Sequence, residues 1–225
     1  MNEVSAATQM VQDGSLQDLS PQLRTALFIG SMAFLSALLV TMTAFTRIVI
    51  VLSFTRRALS TQEIPPNQVI LGLSLFLTYF VMGPTFQTIE TEVIVPYLKE
   101  DISGVDAIGR SAAALKSFML KQTRQDDLEL FVQMSGEIRP STPEDTPMRV
   151  LIPAFVISEL KTGFIMGFCI YLPFILIDLV VSVILMALGM MMMPPVVIST
   201  PCKILLFILV DGWSLIAKAL SMSFN

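Results

Sequence analysis

Residues 26–54 run for 29 positions with a single charge, Arg47. A stretch that apolar needs cover on every face, and a helix in lipid or inside a bundle is the form that also satisfies its own backbone groups. Three further stretches share the character. Residues 69–86 carry no charge, residues 162–202 carry only Asp178, and residues 204–220 carry only Asp211 and Lys218. Composition agrees: 54% of the chain is hydrophobic and 14% charged, against roughly 25% charged in soluble domains. The expectation is an all-α membrane protein.

The remaining charge is concentrated. Seven basic and eleven acidic residues, more than half of the 32 charged positions, fall between 87 and 149. Four zones follow: a polar acidic segment (1–24), an apolar helical hairpin (25–86), a central polar and amphipathic helical segment (87–149) and a second apolar hairpin (150–225). Pro65-Pro66 and Pro194-Pro195 each precede an apolar run, where a proline loses no hydrogen bond and already holds a helical φ, so each marks a hairpin corner. In the centre, Ala112, Leu115, Phe118 and Met119 share one helical face, and Asp126-Asp127 open a helix over 128–134. Residues 135–147, rich in Pro, Ser and acids, read as a linker. The opening segment lacks the basic start and apolar core of a secretory signal, so the first apolar helix is expected to direct insertion without cleavage.

Composition also removes function classes. The chain has no His, which excludes Ser-His-Asp and Cys-His nucleophile systems and HExxH zinc sites. Cys169 and Cys202 sit far from CxxC spacing inside apolar runs and read as buried free thiols. A net charge of −4 with no basic stripe excludes nucleic-acid binding as a first reading. No catalytic residue, metal or cofactor is expected.

Arg56 and Arg57, in the first corner, assign that corner to the cytoplasm and the central segment to the outside. The second corner, residues 189–195, would then face the cytoplasm too, yet it is uncharged and Met-rich. Irregular backbone of that kind is tolerated where protein surrounds it, which implies a corner buried in an assembly. The first run points the same way, since 29 residues of helix extend ~43 Å against a hydrocarbon core of ~30 Å.

Charges inside apolar helices are costly and face partners or cavities. Arg47, Asp178, Lys203 and Asp211 are the intramembrane set. If the second hairpin folds about Met192-Met193, Asp178 and Lys203 differ by ~6 Å in axial height, a gap that a lysine stem covers. Glu159 and Lys161 point to different sides of a helix, and Asp211 and Lys218 are seven apart, so these four find partners elsewhere. Two roles remain open: inter-helix or inter-subunit ion pairs, or a small secondary transporter or proton channel relaying protons through Asp178 and Asp211. The same carboxylates as an aspartyl protease pair lack a GxGD-like context. Met190, Met191, Met192 and Met193 cover every face of one turn, so they cannot share a single packing stripe. Flexible thioethers suit either a deformable pore gasket or gap-filling at a tight corner; a copper cluster is disfavoured because no His or Cys joins them.

The segments MTAFTRIVIVLSFTRRAL from Met42, IPPNQVILGLSLFLTYFVMGPTF from Ile64, LKSFMLKQTRQDDLELF from Leu115, PMRVLIPAFVISELKTGF from Pro147 and LGMMMMPPVVISTPCKILLFILVDGW from Leu188 together resemble the FliP family of flagellar type III export-gate proteins. The resemblance covers residues 27–224 with the motifs FTR, PPNQV, SELK, GMMM and LVDGW in order. The injectisome homologues are close relatives of that family, and the longer central segment with KQTRQDDLELF and the PMRVLIPAF lead-in look like its flagellar branch in particular.

The resemblance implies a pentamer that assembles with FliQ and FliR, and with FlhB nearby, as a helical cone at the base of the flagellum. That cone belongs to the bacterial inner membrane, projects to the periplasmic side and passes unfolded flagellar proteins. Met190, Met191 and Met192 match a Met run that rings and seals the pore, with Met193 at a more variable position. Glu159, Lys161 and Lys203 fall on the SELK and PxK motifs, and Glu159 with Lys203 resembles an ion pair between subunits. Hairpin geometry favours Asp178 with Lys203 instead. Both pairings stay open at this stage.

Overall fold

The structure is a computed structural model that describes residues 20–61, 64–136, 142–190 and 193–224, the side chains of 34, 35, 38 and 39 apart. It is helical, with no strand among the described residues. Two units form, Met1–Val40 and Thr41–Asn225. In the first, helix α1 (Pro21–Thr41) turns its hydroxyls inward: Thr25, Ser31 and Ser36 donate to the carbonyls of Pro21, Phe28 and Ala33. Its exposed surface is left to Leu27, Phe28, Ile29 and Met32.

The run expected as one long helix is two. α1 ends at Thr41, and α2 (Phe45–Ala58) begins after a turn. Thr43 Oγ1 accepts the Phe45 N–H at 3.4 Å, the local competition by which a Thr side chain opens a helix.

α2 buries Ile48, Val51, Leu52, Thr55 and Ala58 along one stripe, together with Arg47. That stripe packs on α8 (Met148–Ala187), a 40-residue helix. The contacts climb in step: Arg47 meets Glu159, Ile50 meets Gly163 and Phe54 meets Gly167. The helices therefore run parallel. Gly163 and Gly167 form a GxxxG pair, the arrangement that lets two apolar helices approach closely. A Cβ on Gly167 would lie 2.6 Å from Phe54 Cγ, and Phe54 also stands edge-on to Phe164.

After the first corner comes α3 (Asn67–Val81), bent by 62° from the helical stretch that follows it. That stretch holds α4 (Gly83–Ile89), a π-helical turn (Glu90–Ile94) and α5 (Val95–Leu98). Pro96 has no N–H to give, and Arg110 Nη1 donates at 3.4 Å to the carbonyl of Glu92 four residues before it. α6 (Gly104–Gln122) starts at a Ser103 cap and buries Phe118 and Met119 on the face that also carries Ala112 and Leu115. α7 (Gln125–Ser135) begins with Asp126 and Asp127 in its first turn and stops at left-handed Gly136. The segment expected as a linker holds a 3₁₀ turn (Pro143–Asp145) whose Glu144 carbonyl accepts from Lys116 Nζ at 2.5 Å; residues 137–141 lie outside the described residues.

α2, α6 and α7 all pack on α8, and its N-terminal part supplies the buried Val150, Leu151, Ala154, Phe155, Ser158 and Glu159. Past Gly167 only Phe174 and Leu185 are buried. In the parallel register α2 ends level with about residue 171, so α8 overhangs it by roughly 24 Å. Against that overhang runs α9 (Val196–Leu209), which bends by 64° into α10 (Gly212–Met222) at Asp211, a left-handed residue with φ +51°. The tail expected as one continuing helix is thus broken. α8 is long and apolar enough to cross a membrane, as are the two bent pairs if each counts as one span.

Candidate functional site

The tip of the overhang is the Met-bearing corner. α8 closes there with Gly189 at φ +76°, Gly189 N–H donating to Met186 O and Met190 N–H to Leu185 O at 3.0 Å. These two bonds make a Schellman cap, which needs a residue free to turn left-handed. Met190 and Met193 flank the corner and stand 40% and 39% exposed. Met191 and Met192 lie outside the described residues.

At the root of the overhang Lys203 Nζ, 2% exposed, donates to Asp178 Oδ2 at 2.5 Å and to Ser60 Oγ at 2.7 Å. Phe174 packs against Phe207 one turn below, with ring centroids 6.4 Å apart. The two pairs are four residues apart on each arm, so α8 and α9 run antiparallel in register between them. Asp178 and Lys203 meet directly across the hairpin.

A second buried cluster sits at the other end of α2. Arg47 Nε donates to Glu159 Oε2 at 2.9 Å and Nη2 to Oε1, forming a bidentate pair with both side chains out of solvent. Nη1 donates to Ser223 O at 2.8 Å, Nη2 to Gln122 Oε1 at 3.3 Å, and the guanidinium lies 3.8 Å over the Phe224 ring. Gln122 Nε2 in turn donates to Phe224 O at 2.9 Å. α2, α6, α8 and the segment after α10 are thereby tied at one point. Planar, five-donor Arg suits this better than Lys.

The other sequence-selected residues are apart from these clusters. Lys161, half-exposed, reaches Asp127 at 3.9 Å. Asp211 is exposed at the α9–α10 bend with no ion pair among the described residues, eight positions beyond Lys203 and hence ~12 Å further along the helix. Asp178 and Asp211 are therefore not brought together. Within the chain Glu159 meets Arg47 and Lys203 meets Asp178, while the inter-subunit pairing of Glu159 with Lys203 concerns contacts beyond one chain. Cys169 and Cys202 are free but exposed, not buried, because they lie on faces of α8 and α9 left uncovered among the described residues. Sequence reasoning missed Ser60, Gln122, Ser223 and Phe224. Arg47 as the lone charge of an apolar run was a signal that a buried acceptor set exists, but not of its members.

A family model described as the FliP family matches residues 28–220. The chain belongs to the FliP family. Among relatives, Flagellar biosynthetic protein FliP of Bacillus subtilis (strain 168) is 49% identical over 208 residues, covering 92% of this chain and 94% of its own. That of Pectobacterium carotovorum subsp. carotovorum is 50% identical over 217 residues, 96% of this chain and 84% of its own. That of Buchnera aphidicola subsp. Acyrthosiphon pisum is 48% identical over 223 residues, and the chain spans 59% of that longer relative. FliP is a flagellar family and not an enzyme family. The 28–220 match takes in the GxxxG contact, both hairpin corners and Arg47, Glu159, Asp178 and Lys203.

Proposed function

We propose that this chain is the pore-forming subunit of a flagellar type III protein export gate, passing unfolded flagellar proteins across the inner membrane. In this reading the Met-bearing corners of several copies converge to seal the closed pore. The observation that carries it is the protruding apolar hairpin of a FliP-family chain, tipped by half-exposed Met190 and Met193. Thioether side chains are apolar, unbranched and deformable. A ring of them dewets and closes when empty, yet offers only weak, non-directional contacts to whatever passes.

The large uncovered apolar surface supports an assembly. Phe76, Tyr79 and Phe80 on α3, Leu176, Leu179 and Val183 on α8, and Leu205, Ile208 and Leu209 on α9 are all exposed in the single chain. Patches of this extent mark lipid or protein contacts. Forty residues of α8 extend ~60 Å, twice a hydrocarbon core, which favours neighbouring subunits over lipid for much of it. From the family resemblance the reading also takes a pentamer, partnership with FliQ, FliR and FlhB, and a cone projecting to the periplasmic side. Replacing Met190, Met191 and Met192 together by Ala is expected to raise passive ion leak in cells while secretion persists. A leak equal to that of the unmodified protein contradicts the gasket.

A further inference from the structure

We infer that the crevice between α4 and α6 binds the headgroup of a net-anionic glycerophospholipid, with Lys121 holding its phosphate and the acyl chains lying outside along α3. The site stands whether or not the export-gate reading does. The crevice encloses about 290 Å³, the lower edge of small-ligand sites, which takes a headgroup and leaves two acyl chains outside. Its lining divides by chemistry. Val81, Pro84, Ala114, Phe118 and Phe224 supply the apolar part, with the Phe118 and Phe224 rings stacked at 6.3 Å.

The polar part is rich in unspent donors. The Lys121 ammonium and the hydroxyls of Thr85 and Ser117 make no hydrogen bond among the described residues. Gln122 accepts from Arg47 at Oε1 and spends one Nε2 hydrogen on Phe224 O, so its second remains. No acidic side chain is among the described residues of the lining, although residues 87–149 hold eleven. A cation and three neutral donors without an acceptor suit a phosphate group. The missing carboxylate also selects the headgroup. The ammonium of a zwitterionic lipid would face Lys121 with nothing to receive it, whereas a glycerol headgroup brings hydroxyls that Thr85 and Ser117 can pair.

The place of the crevice in the chain favours a lipid over a free phosphate. α3 is an apolar helix that ends at Val81 in the crevice wall, and residues 69–86 carry no charge before Glu90 and Glu92 follow. Phe76, Tyr79 and Phe80, at that end of α3, are 77%, 70% and 71% exposed. Tyr79 also stacks with Phe86 across the bend, with ring centroids 5.7 Å apart. Tyrosine gathers at the membrane–water interface, and lysine stems reach that level along apolar surface. The crevice thus lies where apolar surface gives way to charged, the depth of a headgroup, and exposed Phe80 adjoins Val81 on the helix that would carry the chains.

The test uses the full chain purified with its genomic neighbours in mild detergent, stripped of lipid and titrated with phosphatidylglycerol or phosphatidylethanolamine. Native mass spectrometry reads bound lipid and the mass of the complex together. Phosphatidylglycerol is expected to bind about tenfold more tightly than phosphatidylethanolamine, and Lys121→Gln, at an exposed position, to weaken it about tenfold. Lys99→Gln, an exposed cation outside the crevice, is expected to leave binding unchanged. Equal binding of the two lipids, or a Lys121→Gln complex that holds phosphatidylglycerol as well as the unmodified one, overturns the proposal. A Lys121→Gln complex of reduced mass overturns it too, because the crevice is then a contact between subunits. Excess inorganic phosphate is expected to leave the lipid bound; if it displaces the lipid, the site is one for free phosphate and the lipid assignment is overturned.

Discussion

Arg47 explains how an apolar chain can tolerate an ion deep in its helical body. Its fork is met by a carboxylate, a backbone carbonyl, an amide oxygen and an aromatic face, so the guanidinium loses water without losing partners. Removing one member of such a pair leaves the other charge buried alone. Arg47→Met is therefore expected to destabilise the protein by about 3–5 kcal/mol, whereas Arg47→Met with Glu159→Met recovers most of the loss. Thermal unfolding of the solubilised protein reads the difference; equal damage in single and double variants would contradict a net pair interaction. Gln122→Leu, which removes one neutral partner, is expected to cost about 1 kcal/mol.

At the scale of elements, the α2–α8 contact depends on two missing side chains. Gly167→Ala places a methyl within 2.6 Å of Phe54 Cγ, and overpacking of this kind costs about 1–3 kcal/mol. Adding Phe54→Ala opens the space and is expected to lessen the penalty of Gly167→Ala, although the double variant also loses the Phe54–Phe164 contact. If Gly167→Ala is as harmful with Phe54→Ala as without it, the close approach is not what the glycine serves. Hydrophobic periodicity and the Pro-Pro corners made the helices and the hairpin corners legible, because helix formation in apolar segments is governed by the chain itself. The breaks were not legible. Thr43, Met82 and Asp211 interrupt runs whose composition favours continuation: Thr43 competes locally for the Phe45 N–H, Met82 is fully buried at its bend, Gly212 beside Asp211 lies against Phe207, and periodicity encodes none of these contacts. Lys203 and Asp178 could be paired from spacing because both lie on arms of one hairpin. Arg47 and Glu159 are 112 residues apart, and only the parallel α2–α8 register brings them together.

For the whole molecule, the outstanding physical fact is how much apolar surface the single chain leaves uncovered. α3, the outer half of α8 and α9 expose large side chains in succession, and such a surface is stable in lipid or against neighbours. The export-gate account assigns much of it to a closed ring of copies and to other small apolar proteins. The most direct measurement is the native mass of the gently solubilised protein, produced with and without its genomic neighbours. The account predicts five copies in a closed ring that gains additional small membrane proteins when they are co-produced. A stable monomer or dimer that recruits none of them and conducts ions alone would contradict it.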